Sequence, residues 1–277
     1  MKLLKSVLNV LLIVCVFSGA AWAKKAPAPH ILATSYAVMD LETGEMLKEQ
    51  NSTEVRSIAS ITKMMTAIIT LDAHLDMDEL IRVEAVRGIS THLHIGQLIS
   101  RSDLLHIALM SSDNLAAKTL AMTYPGGEYT FIRRMNDKAY SLGMTNTTFT
   151  DPTGLEETNV STAQDLIKML IVAGTYDTIR IYSTSESAQI AVPTKKKVQM
   201  VRFGTTNILV KKYKDIIVSK TGWIQKAGGC LIMLVEDPFS KRAIVVLNSR
   251  NTHTRLVDGD LLHGIYNNDK SIRRSNN

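Results

Sequence analysis

Three apolar, β-branched runs in the last third of the 277-residue chain constrain its fold most strongly. The runs read "KDIIVSKTGW", "GGCLIMLVED" and "KRAIVVLNSR", and short turns separate them, which is typical of adjacent antiparallel strands. Near the other end, "TSYAVMDLETGEMLKEQN" predicts two further strands joined by a turn in which Gly44 takes a positive φ. The chain therefore has the strands for one antiparallel sheet.

The middle of the chain is predicted to be helical. Helix starts are indicated at Ser60, Ser102-Asp103, Asp113, residue 128 and the Ser-Thr pair of "STAQDLIKMLIVAG". Strands at both ends of a helical segment favour an α+β fold, an antiparallel sheet of about five strands flanked by helices, with a mostly helical lobe. The run "RLVDGDLLHGIYNN" is a candidate closing helix, and we expect the tail after it to be disordered.

The first 23 residues have the pattern of a secretory signal peptide. Lys2 and Lys5 precede the apolar run "VLNVLLIVCVF", and "AWA" supplies a cleavage site after Ala23. A spanning helix needs about 20 apolar residues, and this run is shorter. We therefore predict export, no transmembrane anchor after cleavage, and a single domain over residues 24–277 with a short basic C-terminal tail.

Charge and cysteine content limit the remaining possibilities. The 32 Lys and Arg exceed the 26 Asp and Glu by a mild margin, which fits contact with an anionic polymer without requiring one. We expect no nucleic-acid partner. Cys15 lies in the signal and Cys230 is the other cysteine, so no internal disulfide is predicted and stability must come from the core.

The stretch "SIASITKMMTAIIT" places Lys63 three residues after Ser60 in an apolar helix. Residues at this spacing lie about one turn apart on one face, so the Lys63 amine can approach the Ser60 hydroxyl. A serine hydroxyl becomes a nucleophile when a base takes its proton. A lysine is a base only when neutral, and burial or a nearby second cation lowers its pKa.

Two further motifs supply the other groups that such a site needs. "VSKTGW" places Lys220 and Thr221 at a strand end, and Gly222 allows a substrate chain to pass close by. "SSDN" supplies Ser112 for proton relay and the Asn114 amide to hold a substrate carbonyl. S-x-x-K alone is expected about once by chance in a chain of this length. The order of the three motifs makes the coincidence specific.

The chain resembles the low-molecular-mass penicillin-binding proteins, the serine D-alanyl-D-alanine peptidases that trim peptidoglycan. The likeness runs from about Tyr36 to about Asn248 and includes "IASITKMMTA", "ALMSSDNLAAKTLA", "SLGMTNTTFTDPTGL", "NVSTAQDL" and "SKTGW". "TYPGG" and "SKTGWIQKAGGCLIM" are most similar to the D-alanyl-D-alanine endopeptidase branch, the penicillin-binding protein 7 type. The family fold agrees with the α+β prediction.

The resemblance implies a role for each motif residue. Ser60 is the acylated nucleophile, Lys63 the general base and Ser112 the proton relay. The substrate-binding residues are Asn114, Lys220, Thr221, Gly222 and Trp223, with the N–H groups of Ser60 and Trp223 as oxyanion hole. The resemblance implies a periplasmic enzyme, peptidoglycan peptide crosslinks as substrate, β-lactams as covalent inhibitors, and no metal or organic cofactor.

Trp223 is the one departure from the carboxypeptidase pattern, which often reads K-T-G-T. The change removes a hydroxyl that holds a terminal carboxylate, and it favours cleavage of a crosslink over trimming of a free D-alanine. Carboxypeptidases of the family usually have a further β-rich domain and an amphipathic C-terminal helix, and the chain is expected to lack both. A D-alanyl-D-alanine carboxypeptidase is the alternative activity.

Two other functions are compatible with the serine–lysine motif. In a class A β-lactamase, a glutamate after the middle motif deacylates the enzyme, and Glu156 and Glu157 lie in that stretch within a peptidase-like "DPTGLEETN". A catalytically silent β-lactam or muropeptide binder is disfavoured by three complete motifs.

His92 and His94 lack further ligands for a zinc site. The basic residues 195–214 are either a solvated face or a contact with cell-wall polymer.

Overall fold

Five strands from both ends of the chain form the central sheet. The computed structural model describes residues 30–274 except 85, 87, 90–92, 194–197 and 239. The strands are β1 Ser35–Asp40, β2 Met46–Gln50, β3 Arg56–Ser57, β4 Leu80–Arg82, β5 Leu98–Ser100, β6 Val160–Ser161, β7 Ser187–Pro193, β8 Val198–Gly204, β9 Ile216–Ile224, β10 Gly228–Asp237 and β11 Ser240–Ser249. The central order is β2-β1-β11-β10-β9, every pair antiparallel, which confirms the predicted sheet.

Helices account for most of the remaining structure. They are α1 Thr62–Asp72, α2 Arg101–Met110, α3 Asn114–Met122, α4 Gly127–Ser141, α5 Ala163–Ala173, α6 Asp177–Thr184, α7 Leu209–Lys212 and α8 Thr254–Arg274. The α+β prediction is therefore confirmed. Among the residues that the structure describes, none of these helices has the length and apolar character to cross a membrane. The predicted signal peptide, residues 1–23, lies outside the described residues.

Several elements differ from the sequence-based expectation, among them the short strand pairs β3-β6 and β4-β5 and the helix α7. The hairpin of β7 and β8 and the short helix α6 were not predicted. The tail expected to be disordered is helical as far as Arg274. The physical reason is that after Gly264 no glycine or proline interrupts the helix.

The two faces of the sheet pack against different helices. On β11, Val245 belongs to a large apolar cluster shared with α1–α5, while Ile244 and Val246 belong to a second cluster shared with α7 and α8. This alternation follows from the two-residue period of a strand. On the second face α8 packs so closely that a Cβ on Gly259 would lie 2.3 Å from Leu231 Cδ2.

Polar side chains begin three of the helices at or near the predicted positions. Ser100 Oγ accepts from the Asp103 N–H at 3.0 Å, two residues before the expected start of α2. Asp113 Oδ1 accepts from the Ala116 N–H at 2.9 Å and caps α3, as predicted. Thr162 caps α5 in the same way. The Asp113 cap matters for the site, because it fixes the turn between α2 and α3.

A buried hydrogen bond joins the loop after β-bridge residue Thr148 to helix α1. Thr66 Oγ1 donates to the Pro152 carbonyl at 2.6 Å, and Thr66 is fully buried. Pro152 belongs to the "DPTGL" loop. The bond therefore holds that loop against the helix that follows Ser60.

Removing this hydroxyl is expected to destabilise the protein. Thr66→Val leaves the Pro152 carbonyl buried without its donor, which costs about 1–3 kcal/mol of unfolding free energy. The matched control is Thr70→Val on the same helix. Thr70 Oγ1 donates to the Thr66 carbonyl at 2.8 Å, an oxygen that also serves the helix backbone, so the loss is smaller. Urea titration of both variants measures the difference, and equal losses would contradict the anchoring role of Thr66.

Candidate active site

Ser60 lies in a single 3-10 turn, Ala59–Ile61, that leads directly into α1. Strand β9 packs against this turn. A Cβ on Gly222 would lie 3.0 Å from both the Ile58 carbonyl oxygen and the Ser60 nitrogen. Because a larger residue would push the strand away from the turn, Gly222 sets the close approach of β9 to Ser60. Ala59 has a φ of +47°, so the turn is held in a conformation that alanine rarely adopts.

The Lys63 amine is directed at Ser60. Lys63 Nζ donates to Ser60 Oγ at 3.0 Å, to Asn114 Oδ1 at 2.7 Å and to the Thr153 carbonyl at 2.6 Å. Three acceptors thus fix the position of the nitrogen, and Lys63 is only 1% exposed. The structure brings together Ser60, Lys63 and Asn114.

Burial is the main influence on the protonation of Lys63. Desolvation lowers its pKa from 10.5 to about 7, and the negative charges of Asp151 and Asp113 act in the opposite direction. A substantial fraction of the amine is therefore neutral at neutral pH. The geometry and the protonation state together suit proton transfer from the Ser60 hydroxyl.

A second serine–lysine pair is formed by Ser112 and Lys220. Lys220 Nζ donates to Ser112 Oγ at 2.8 Å and to the Thr221 carbonyl at 2.8 Å. Ser112 lies in the turn between α2 and α3 with a φ of +60°. The bond links the helical lobe, which holds Ser112, to strand β9, which holds Lys220.

Lys220 is the second cation that the sequence predicted beside Lys63. Burial lowers the pKa of Lys220 well below its usual value, and the charges of Lys63 and Arg255 lower it further. Because repulsion between two cations acts on both, each lysine favours the neutral form of the other. Lys220 is 1% exposed, so both amines lie in a region from which water is largely excluded.

The "DPTGL" loop contributes groups that the sequence reasoning missed. Asp151 accepts hydrogen bonds from the N–H groups of Thr153 at 2.8 Å and Gly154 at 3.0 Å. These bonds turn the Thr153 carbonyl towards Lys63. A Cβ on Gly154, whose φ is +80°, would lie 2.0 Å from the Ala59 carbonyl oxygen. The Asp-x-x-Gly spacing is the one sequence feature that indicates this turn.

Two side chains that no local sequence pattern predicts form hydrogen bonds with the "KTGW" segment. Thr221 Oγ1 donates to Thr206 Oγ1 at 2.6 Å. The Arg255 guanidinium, on α8, donates to the Gly222 carbonyl at 2.7 Å. Trp223 is 50% exposed and follows Gly222 at the end of the cleft.

The glutamates set aside in the sequence analysis take no part in the hydrogen bonds of Lys63. The Glu156 and Glu157 side chains are exposed, and neither is a hydrogen-bond partner of Lys63. In the part of the chain that the structure describes, no cluster of His, Cys, Asp and Glu is suited to a metal ion. His92 and Lys195–Lys197 lie outside that part. Further along the basic stretch, Lys212 and Lys214 form ion pairs with acidic side chains.

The fold and the Ser60–Lys63 pair define a class of protein, the serine acyl-transfer enzymes with a sheet covered by helices. Within that class, the chain belongs to the D-alanyl-D-alanine carboxypeptidase family of serine peptidases, peptidase S11, whose family model matches residues 22–251. The family resemblance predicted from the motifs is thus confirmed.

Individual relatives support the same assignment. The chain is 40% identical over 261 residues to the D-alanyl-D-alanine endopeptidase of Escherichia coli (strain K12), covering 89% of this chain and 82% of the relative. It is 39% identical to the D-alanyl-D-alanine endopeptidase of Pseudomonas aeruginosa, covering 85% and 78%. The structure is similar to cefotaxime-bound penicillin-binding protein D2 from Listeria monocytogenes, with a TM-score of 0.76 and 28% identity over 86% of this chain and 98% of that one.

The contact of Gly154 with Ala59 predicts an unusually costly substitution. Gly154→Ala combines a positive φ, about 1–2 kcal/mol, with a clash against a backbone carbonyl that adds about 1–3 kcal/mol. Gly143→Ala is the control, since Gly143 has a φ of +68° and open space at its Cβ position. Denaturant titration is expected to show the larger loss for Gly154→Ala. Equal losses would mean that the loop does not press on the Ser60 turn.

Proposed function

We propose that the protein is a serine DD-endopeptidase that hydrolyses the D-alanyl crosslinks of peptidoglycan through an acyl-enzyme. The observation on which the proposal rests is the Ser60–Lys63 contact, 3.0 Å between Oγ and a nearly fully buried amine whose pKa is lowered to about 7. A nucleophile and a neutral base within hydrogen-bond reach are what acyl transfer requires.

In acylation, Ser60 Oγ attacks the carbonyl carbon of a D-alanyl residue while its proton passes to Lys63 Nζ. The negative charge on the carbonyl oxygen is stabilised by the N–H groups of Ser60 and Trp223. The C–N bond then breaks, and the leaving amine takes a proton that Ser112 relays. Water attacks the acyl-enzyme ester and releases the shortened peptide and free Ser60.

The remaining site residues hold the substrate. The Asn114 amide, whose oxygen is fixed by Lys63 at 2.7 Å, leaves its NH₂ group to donate to a substrate carbonyl. Lys220 and Thr221, on strand β9, engage the substrate carboxylate. Gly222 lets the substrate backbone pass close to β9.

Two features favour a crosslink over a free D-alanyl-D-alanine terminus. Trp223 presents a large exposed ring where a carboxypeptidase often has a threonine hydroxyl for the terminal carboxylate. Two relatives with about 40% identity are named D-alanyl-D-alanine endopeptidases. The signal-like pattern of residues 1–23 and a cell-wall substrate support a periplasmic location, and the similarity to a cefotaxime-bound protein supports covalent inhibition by β-lactams.

Digestion of purified crosslinked muropeptide dimers tests the proposed reaction. The wild-type protein is expected to convert dimers into monomers, as measured by liquid chromatography of the products. Ser60→Ala is expected to lower the rate by a factor on the order of 10³ or more, because the acyl-enzyme cannot form. Ser141→Ala, at the exposed end of α4, serves as control and retains the rate.

The same digest separates the competing activities. Intact dimers together with release of D-alanine from pentapeptides would make the protein a carboxypeptidase. Rapid turnover of a chromogenic cephalosporin, in place of stable labelling by fluorescent penicillin, would make it a β-lactamase. If fluorescent penicillin does not label the wild-type protein at all, the remaining interpretation is a non-catalytic binder.

The pKa of Lys63 predicts the pH dependence of acylation. Since the neutral amine is the base, the second-order rate of labelling by fluorescent penicillin rises with pH, with a midpoint near 7 that reports the free enzyme. Asp113→Asn keeps a good helix cap but removes a charge that raises the pKa of Lys63. The midpoint of this variant is therefore expected at lower pH. A midpoint that stays in place or moves to higher pH would show that the profile does not report Lys63.

A further inference from the structure

One residue of the loop between β8 and α7, Thr206, forms hydrogen bonds to both the end of helix α2 and strand β9. Its N–H donates to the Met110 carbonyl at 3.1 Å, at the end of α2 and two residues before Ser112. Its hydroxyl accepts from Thr221 Oγ1 at 2.6 Å, on strand β9. The neighbouring Ser111 hydroxyl adds a bond to the Gly204 carbonyl at 3.0 Å. Thr206 thus joins the lobe that holds the middle motif to the strand that holds the third motif.

The position of Thr206 is fixed by its neighbour in the loop. Asn207 is 2% exposed. Its side-chain NH₂ donates to Ser219 Oγ at 2.7 Å, and its side-chain oxygen accepts from the Leu209 N–H at 3.0 Å. Because Asn207 is held by these two bonds, the adjacent Thr206 is held as well, and its hydroxyl has a fixed position relative to Thr221. The hydroxyl of Thr206 also has an acceptor of its own, the Met110 carbonyl at 3.4 Å.

We propose that Thr206 is a positioning residue for the acylation reaction, acting through the Thr221 hydroxyl. This inference rests on the proposed function, because it takes the acylation of Ser60 as the reaction affected. The Thr206 oxygen accepts the hydrogen bond of Thr221 Oγ1 and so fixes the rotamer of the buried Thr221 side chain. The Thr221 hydroxyl, which we expect to bind the substrate, therefore has a fixed position before the substrate arrives. This reduces the ordering needed on binding.

The motif comparison gives Thr206 no role, since it lies outside the three motifs. The contact with Thr221 spans 15 residues of sequence. It is seen only when β8, α7 and β9 are placed together in space.

The test compares three single variants in their second-order rates of labelling by fluorescent penicillin. Thr206→Val keeps the shape of the side chain and removes the acceptor, and the rate is expected to fall about tenfold, the effect of one ordered hydrogen bond. Thr206→Ser restores the hydroxyl and is expected to stay within about twofold of the wild type. Thr175→Val is the matched control, because the Thr175 hydroxyl donates to the Val172 carbonyl at 2.8 Å at the end of α5, and the rate is expected to stay at the wild-type value.

A double-mutant cycle with Thr221→Val distinguishes positioning from a general structural role. If Thr206 acts through Thr221, adding Thr206→Val to Thr221→Val changes the rate by less than about twofold. Additive losses would overturn the proposal, and so would a wild-type rate in Thr206→Val. Thr206→Ala replaces Thr206→Val in the cycle if the valine variant melts at a clearly lower temperature. Failure of the wild-type protein to be labelled would instead overturn the proposed function.

Discussion

The burial of one amine, Lys63 Nζ, is the constraint on which the rest of the site depends. A lysine in water is protonated and cannot act as a base, so the protein has to remove it from water. It does so while placing the nitrogen within hydrogen-bond distance of three oxygens, Ser60 Oγ, Asn114 Oδ1 and the Thr153 carbonyl. The neutral amine has two N–H groups for Asn114 and Thr153, and its lone pair accepts the Ser60 proton. One nitrogen therefore links α1, α3 and the "DPTGL" loop.

The acidic residues near Lys63 limit how far its pKa falls. Burial alone lowers the pKa, and Asp151 and Asp113 raise it again. Both carboxylates also have structural roles, because Asp151 accepts hydrogen bonds within the "DPTGL" loop and Asp113 caps α3. The groups that hold the backbone in place are thus the same groups that tune the base. Substitutions there are expected to alter structure and chemistry together.

Much of the fold follows from local patterns in the sequence. The apolar β-branched runs predict β9, β10 and β11, and the caps at Asp113 and Thr162 predict α3 and α5, because these features depend on neighbouring residues. The three motifs likewise predict which side chains meet. Their catalytic roles remain predictions.

Contacts that depend on distant parts of the chain could not be predicted in this way. The acceptor from Thr153 is a backbone carbonyl, which every residue has. Arg255 reaches Gly222 across 33 residues, and Thr206 reaches Thr221 across 15. The hairpin of β7 and β8 is held in place by the burial of Ile190, Val192 and Phe203 in the main core cluster. Each of these contacts is determined by tertiary packing, and local sequence preferences do not predict it.

Two residues of the candidate site, Ala59 before the nucleophile and Ser112 in the turn between α2 and α3, have left-handed φ angles of +47° and +60°. An L-residue in this region is about 1–2 kcal/mol less favourable than in a right-handed conformation. Neither residue would stay there in a loosened neighbourhood, so surrounding packing keeps each in place. A weakened core would therefore first let these two turns relax and misalign the serine hydroxyls. The protein is expected to lose its competence to react before it loses its global structure, so inactivation on heating should precede melting.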